Sequence, residues 1–493
     1  MASRLTEPAP GALAARTRRR EQHLAFVLGA IAVGATLAAQ ARTLGFWFFQ
    51  DDLVPYGEIV TNGVPEYLWR LVLARDLTPN WRVIPGLLYL ATYKGFGMDP
   101  LPMHIILLLF HLGSVGLLSR AVWRATAHPA AAFVAGLAFG LHPTYAGALG
   151  QVAVVPHIAA AFFLLAALNA TLECAGRASG APARRWLAVA VVCYVLALLS
   201  NESVAVLFPA FAAAFVLFDP RAEGRWRRAI LRALPFVILG CVVALGVSQC
   251  DCTEASDVYS RENAVRTFFI YAGRLLWPIG LEPPTYIDPP HLYTAIVLLA
   301  LSGVMLGVGP AVGRVGVVWM LLAIVPHVFV KTHTANRFTY LAAPGFALLA
   351  AGYVLLVARL LARAPSAVPA ALLAATLAVV APWYAWQTHL QNEPWRAATA
   401  NWQHLHDELV RTYPSLPAGA HVEVIGGPFT HPLDQFFVMP ALAYTTWGAG
   451  RNLTTFAEDD PFATTLRSSA GSPAHPYVAE FDGSELRALA PPP

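Results

Sequence analysis

The sequence predicts an all-α polytopic membrane protein of about 11 transmembrane helices, followed by a small extracytoplasmic C-terminal α/β domain. Three observations carry that prediction. The 493 residues are 57% hydrophobic and only 13% charged, with a mean hydropathy of +0.54. Soluble domains carry roughly 25% charge, and no set of soluble cores of this size could hide so much apolar surface. The apolar residues come in runs of spanning length, and the charges between those runs alternate in sign along the chain. A soluble globular protein, a disordered chain and a nucleic-acid-binding module are thereby excluded.

A spanning helix needs roughly 20 mostly apolar residues. Residues 1–23 form a basic tail, and the multi-span region covers 24–388. Apolar spans fall near 24–42, 101–119, 130–148, 153–172, 186–200, 203–218, 230–248, 292–309, 315–330, 338–358 and 367–388. The first follows basic residues as a signal peptide would, but it runs long and lacks a cleavage site, so it reads as a retained helix. A twelfth piece, 83–97, is short and interrupted by Pro85 and Lys94, which suits packing at the outer interface. Outer loops are expected at 43–100 and 249–291. The domain at 389–493 opens with an amphipathic helix, Trp395 to Tyr413, then Pro417-Ala418-Gly419 and a strand at His421 to Ile425.

The loops set the orientation. With the N-terminus cytoplasmic, the inner segments hold 18 of the 33 basic residues and five of the 29 acidic ones, a net +13 against −9 for the rest. Arg4, Arg16, Arg18, Arg19 and Arg20 begin the inner set, and Arg359 and Arg363 end it. This is the distribution the positive-inside rule requires. Eleven spans then put the C-terminus outside. The five cysteines are too few for a disulfide framework. Cys174, Cys193 and Cys241 lie in or beside apolar stretches as inert thiols, and the lone Cys250-x-Cys252 is weak ground for a metal.

The candidate chemistry lies on the outer face. The first outer loop opens Phe48-Phe49-Gln50-Asp51-Asp52-Leu53, two carboxylates just beyond a span. Such a pair can cap a helix, or serve as general base or metal ligand toward a lipid-borne substrate. Desolvation beside the bilayer would raise its basicity. Thr78-Pro79-Asn80-Trp81-Arg82-Val83-Ile84-Pro85 and Tyr93-Lys94-Gly95-Phe96-Gly97 follow. His104 and His111 then lie seven apart in the second span. Leu141-His142-Pro143, Asn201-Glu202-Ser203 and Asn336-Arg337-Phe338-Thr339-Tyr340 come after them. Ionisable groups at membrane depth are costly and so are functional candidates.

This order of short motifs, over residues 24–358, resembles the glycosyltransferase C superfamily of polyprenyl-phosphate-sugar transferases. It is most similar to the branch of transmembrane O-mannosyltransferases that carry tetratricopeptide repeats. The resemblance implies that Asp51 or Asp52 is the catalytic acid position and that Arg82 is the Arg of an Arg-Pro stretch, here parted from Pro85 by Val83-Ile84. Glu202 would be the Glu of a Lys-Glu pair, with Asn201 in place of the Lys. Arg337 and Tyr340 would be the late Arg-x-x-Tyr. After Leu-His-Pro this chain lacks the branch's Glu and Arg, and its C-terminal domain has no tetratricopeptide period.

The expected function is therefore a membrane glycosyltransferase, mannosyltransferase-like, that moves a sugar from a polyprenyl-phosphate donor to an acceptor hydroxyl with inversion. Asp51 or Asp52 would be the base, and Arg82, His104, Glu202, Arg337 and Tyr340 would bind substrate. No cofactor is required, although a divalent metal is compatible with the acidic pair. The partners would be a lipid-linked donor and a protein, glycan or lipid acceptor, with no nucleic acid, in the plasma membrane. The alternatives are a transporter or flippase of a lipid-linked precursor, or a non-catalytic relative. Against transport, related halves with broken midplane helices are not seen in the sequence.

Overall fold

The computed structural model describes residues 10–73, 82–177, 180–248, 263–278, 289–329, 335–363, 365, 367–426 and 438–490. All eleven expected apolar segments are helical. Among the described residues, nine helices are long and apolar enough to cross a membrane, the first spanning Arg19–Gly45. The chain is an integral membrane protein.

The other two segments depart from a simple span for local reasons. The segment expected at 130–148 is broken into Pro129–Gly140 and Pro143–Gly150, bent by 40°. Pro143 lacks an N–H and disfavours helical geometry at His142, so the helix stops there. The segment expected at 203–218 is the shorter apolar helix Glu202–Leu217, which begins as a 3-10 turn over Glu202–Leu207. Asn201 starts that turn, its side chain accepting a hydrogen bond from the Ser203 N–H at 2.9 Å.

Two further elements differ from the sequence reading. The loop expected at 249–291 contains a helix, Ala264–Leu276. The last span does not stop near 388 but continues as one helix, Ala367–Thr412, through the amphipathic stretch expected to begin at Trp395. No proline or glycine stands between Trp383 and Pro394 to end it, and Pro394 is carried inside.

The chain divides into two compact units, and the division does not follow chain order. The first comprises residues 1–41, 108–148 and 157–391. Its helices approach closely through glycine. A Cβ on Gly345 would meet the Met320 backbone N at 2.5 Å, and one on Gly316 would meet the Gly345 carbonyl at 2.6 Å. Helices Ala311–Ile324 and Ala343–Leu360 therefore cross at small residues, the usual device where hydrophobic burial offers no drive between helices.

The second unit joins residues 42–107, 149–156 and 392–493. The loop expected at 43–100 thus folds with the C-terminal domain. That domain holds β1 (His421–Ile425), β2 (Asn452–Phe456), β3 (Tyr477–Phe481) and β4 (Leu486–Ala488) in the order β2-β1-β3-β4. β1 is parallel to both neighbours, and β4 is antiparallel to β3. Helix Pro461–Ser469 packs Ala463 and Leu466 on Ile425 and Val478. A second helix, Met439–Trp447, lies against helix Val54–Leu73. The contact is so close that a Cβ on Gly57 would meet Ala441 Cβ at 2.8 Å.

Candidate functional site

In the second unit the acidic pair occupies a single 3-10 turn, Gln50–Leu53. Gln50 enters it at φ 45°, a left-handed conformation that costs a non-glycine residue energy and is held by its surroundings. The two carboxylates have different environments. Asp52 is fully buried. Its Oδ2 accepts the Phe49 N–H at 2.8 Å and its Oδ1 accepts the Ala153 N–H at 2.5 Å, so one side chain ties the turn to the segment 152–154. Burial pushes its pKa from the ordinary 3.8 up to about 7. The hydrogen bonds from Ala153, Phe49 and Val152 only partly oppose this, and the neighbouring Asp51 charge adds to it. Asp51, one residue earlier, is exposed.

Aromatic rings surround the turn. Phe48 lies 5.1 Å from Tyr56 between ring centres, and Tyr56 lies 5.7 Å from Tyr89 and 6.2 Å from Tyr93. Phe49 meets Trp395 edge-on at 5.2 Å, so the C-terminal part of this unit also borders the turn. Tyr89 donates to the Val152 carbonyl at 3.1 Å. Its hydroxyl is pushed well above the usual tyrosine range, by burial first and by the Asp52 charge next, while Arg82 draws it back. Tyr89 therefore feels both Asp52 and Arg82. Arg82 is half-buried at the start of helix Val83–Phe96, its carbonyl accepting the Gly86 N–H at 3.0 Å. His104 is buried in the same unit, edge-on to Phe46 at 6.5 Å.

In the first unit Arg337 sits half-buried on the 3-10 turn Asn336–Thr339, and that turn is fastened on both sides. Thr339 donates to the Asn336 carbonyl at 2.7 Å, and its hydroxyl lies 3.1 Å from that of Thr144. Thr144 lies 2.8 Å from His142 Nδ1, and His142 Nε2 lies 2.9 Å from the Leu275 carbonyl. A carbonyl only accepts, so His142 carries its proton on Nε2 and accepts from Thr144. Beyond the turn Tyr340 is fully buried, its hydroxyl 2.7 Å from His111 Nδ1, while His111 Nε2 faces the Gly140 carbonyl at 3.3 Å. By the same reasoning Tyr340 donates to His111. Tyr340 and His111 thus anchor the turn that presents Arg337. Phe338 stacks on His327 at 4.9 Å, and the Arg337 guanidinium lies over the Phe338 ring at 5.5 Å.

Glu202 is half-buried at the head of its own turn in the first unit. Asp51, Asp52, Arg82 and His104 therefore share one unit, and Glu202, Arg337 and Tyr340 the other. Sequence reading missed Arg274, which is 1% exposed on helix Ala264–Leu276. That helix packs Tyr271 edge-on to Phe338, beside Arg337, at 6.3 Å. The signal was present in the spacing of Thr267, Ile270, Tyr271 and Arg274, all on one helical face. Among the described residues no group of three or more His, Cys, Asp or Glu side chains could hold a metal ion. Cys250, Cys252 and the Thr78–Trp81 stretch lie outside the described residues.

No protein-family model and no curated protein sequence matches the chain. Solved structures do. One is ArnT from Cupriavidus metallidurans bound to undecaprenyl phosphate, at a TM-score of 0.51 and 13% identity over 90% of this chain and 87% of that one. Another is the archaeal oligosaccharyltransferase AglB from Archaeoglobus fulgidus, in complex with an inhibitory peptide and a dolichol-phosphate. It gives a TM-score of 0.50 at 13% identity, over 93% of this chain and 69% of that one. These similarities place the chain in a class of polytopic membrane folds. The fold is shared with these two membrane proteins.

Proposed function

We propose that the protein is a membrane glycosyltransferase that uses a polyprenyl-phosphate-linked sugar as donor, with Asp51 as general base. The division of labour within the acidic pair carries this reading. Asp52 spends both oxygens on backbone N–H groups, whereas Asp51 is exposed on the same fixed turn. A clamp and an exposed carboxylate side by side suit a base that must be held in one place. The acceptor hydroxyl oxygen attacks the anomeric carbon, its proton passes to Asp51, and the bond from that carbon to the phosphate oxygen breaks with inversion. The polyprenyl phosphate leaves with the electron pair.

Its growing charge is met by a guanidinium group, for which Arg82 lies in the same unit as Asp51. His104 lies in that unit too, and the resemblance adds Arg337, on the turn that Tyr340 anchors, and Glu202 as substrate-binding residues. The reaction needs no nucleotide, and a divalent ion would be an aid rather than a requirement. Both ArnT and AglB were solved with a polyprenyl-type phosphate, which supports a donor of that class. The resemblance to O-mannosyltransferases favours mannose and a hydroxyl acceptor, with the reaction on the extracytoplasmic face of the plasma membrane.

The test is transfer of radiolabelled sugar from synthetic polyprenyl-phosphate donors, mannose first, by the purified protein. Asp51→Asn should lower the rate at least about 100-fold, the range for loss of a general base, with an unchanged melting temperature. Full activity in Asp51→Asn removes the proposed base. Movement of labelled lipid across vesicles without any sugar transfer would overturn the enzyme reading.

A further inference from the structure

A charged cluster separate from the residues assigned above lies among the described residues. Within the first unit, two buried acids collect arginines where several helices end. Glu173, near the end of helix Val155–Ala175, is 5% exposed. It pairs with Arg124 at 2.5 Å, Arg177 at 2.6 Å and, more loosely, Arg120 at 3.9 Å. Asp219 is 2% exposed and pairs with Arg221 and Arg228, each at 2.8 Å. Arg221 and Arg232 also donate to the Arg177 carbonyl, which joins the two groups.

Five arginines thus share two carboxylates. The carboxylates occupy the inward N–H groups, and the outer faces of Arg120, Arg124 and Arg177 stay 38% exposed or more. Burial would raise the Asp219 carboxyl, but hydrogen bonds from Arg221 and Arg228 win and hold it well below the usual carboxylate range. Asp219 is therefore a fixed anion that orients its partners.

Beside Asp219 lies a cavity of about 350 Å³. Leu217, Phe218, Val312 and Leu355 give it apolar walls, and Thr126, Asp219 itself, already paired with Arg221 and Arg228, and the exposed Arg359 give it polar ones. A surplus of forked, pre-oriented guanidinium groups next to an apolar recess matches a ligand with an anionic phosphate head and a hydrocarbon tail.

We propose that this end of the first unit binds the phosphodiester headgroup of an anionic membrane phospholipid, with an acyl chain against the apolar walls of the cavity. A surface that is merely basic would attract such lipids diffusely; a built site selects one and keeps it. The site is independent of the transferase reading.

The experiment places the full-length protein in nanodiscs of phosphatidylcholine alone, or of phosphatidylcholine and phosphatidylglycerol in equal parts. Thermal melting and native mass spectrometry of retained lipid are the readouts. Phosphatidylglycerol should raise the melting temperature and stay bound. Arg120→Gln and Arg359→Gln should each weaken its retention about fivefold, from about 1 kcal/mol per arginine. Arg120 is the loosest partner of Glu173, so that variant keeps both tight ion pairs and should fold. Arg19→Gln with Arg20→Gln removes the same kind of charge from the exposed start of the first span and should leave retention unchanged.

Equal loss in that tail variant would reduce the effect to diffuse surface charge and overturn the site. Equal protection by phosphatidylcholine would do the same. If inorganic phosphate protects detergent-solubilised protein as well as phosphatidylglycerol does, the ligand is a free anion and the lipid assignment fails.

Discussion

Asp51 and Asp52 are adjacent and chemically alike, yet the backbone gives them opposite environments. Asp52 is the costlier residue: burial outweighs the backbone hydrogen bonds it accepts, and its pKa rises from 3.8 to about 7. The consequence for stability has a definite sign. Between about pH 4 and 7 the native chain keeps a proton that the unfolded chain has released, so stability falls as pH rises through that window and levels off above it. Thermal melts of the wild type should drop from pH 5 to pH 7.5. Asp52→Asn removes this titration, so its melts should be flatter over the same range, from a starting point lowered by about 1–3 kcal/mol for the weakened backbone bonds. Identical slopes in the two proteins would show that Asp52 does not titrate there. The sequence announced that the pair was special, because two carboxylates beside a span are conspicuous. It could not say which one was the clamp, since that depends on Ala153, about a hundred residues away.

At the scale of elements, the second unit depends on the close approach of helix Val54–Leu73 to helix Met439–Trp447. Gly57 has room for hydrogen only, with Ala441 Cα 2.9 Å from where its Cβ would stand. Gly57→Leu should cost about 1–3 kcal/mol by overpacking and lower transfer by disturbing the turn that bears Asp51. Gly95→Ala is the matched control. It lies in helix Val83–Phe96 with nothing within 4 Å of the added methyl, so it should be neutral or stabilise by about 0.5–1 kcal/mol. Differential scanning fluorimetry beside the transfer assay separates the two outcomes, and a Gly57→Leu protein with wild-type melting would refute the contact. Elements were the most legible level of this chain. Runs of apolar residues marked all eleven segments, and Pro143 marked the break in one of them. Helix Ala264–Leu276 was hidden because Arg274 is charged yet buried, which breaks the rule that charge marks a loop. The uninterrupted helix Ala367–Thr412 was hidden because hydropathy falls where the helix leaves the apolar region, while helical propensity does not.

At the scale of the whole molecule, the pairing of chain segments into units was the least legible property. The union of residues 42–107 with 392–493 rests on contacts across more than three hundred residues, which no local period encodes. Sidedness is different, because it is written in where the charges fall. The net charge of +4 is a difference between +13 on the segments expected inside and −9 on the remainder, and translocation penalises arginine in short loops. The chain should therefore insert with Arg20 and Arg185 in the cytoplasm and the C-terminal α/β domain outside. All five native cysteines would first be replaced, since Cys241 at least is exposed. Single cysteines would then be introduced at Arg185→Cys and at Ser468→Cys, both exposed positions. A membrane-impermeant maleimide applied to intact cells should label Ser468→Cys at once and Arg185→Cys only after lysis. The reverse pattern would move Asp51 to the cytoplasmic face, where no polyprenyl-phosphate sugar presented from the outer leaflet could reach it. It would overturn the proposed donor even if sugar transfer itself were observed.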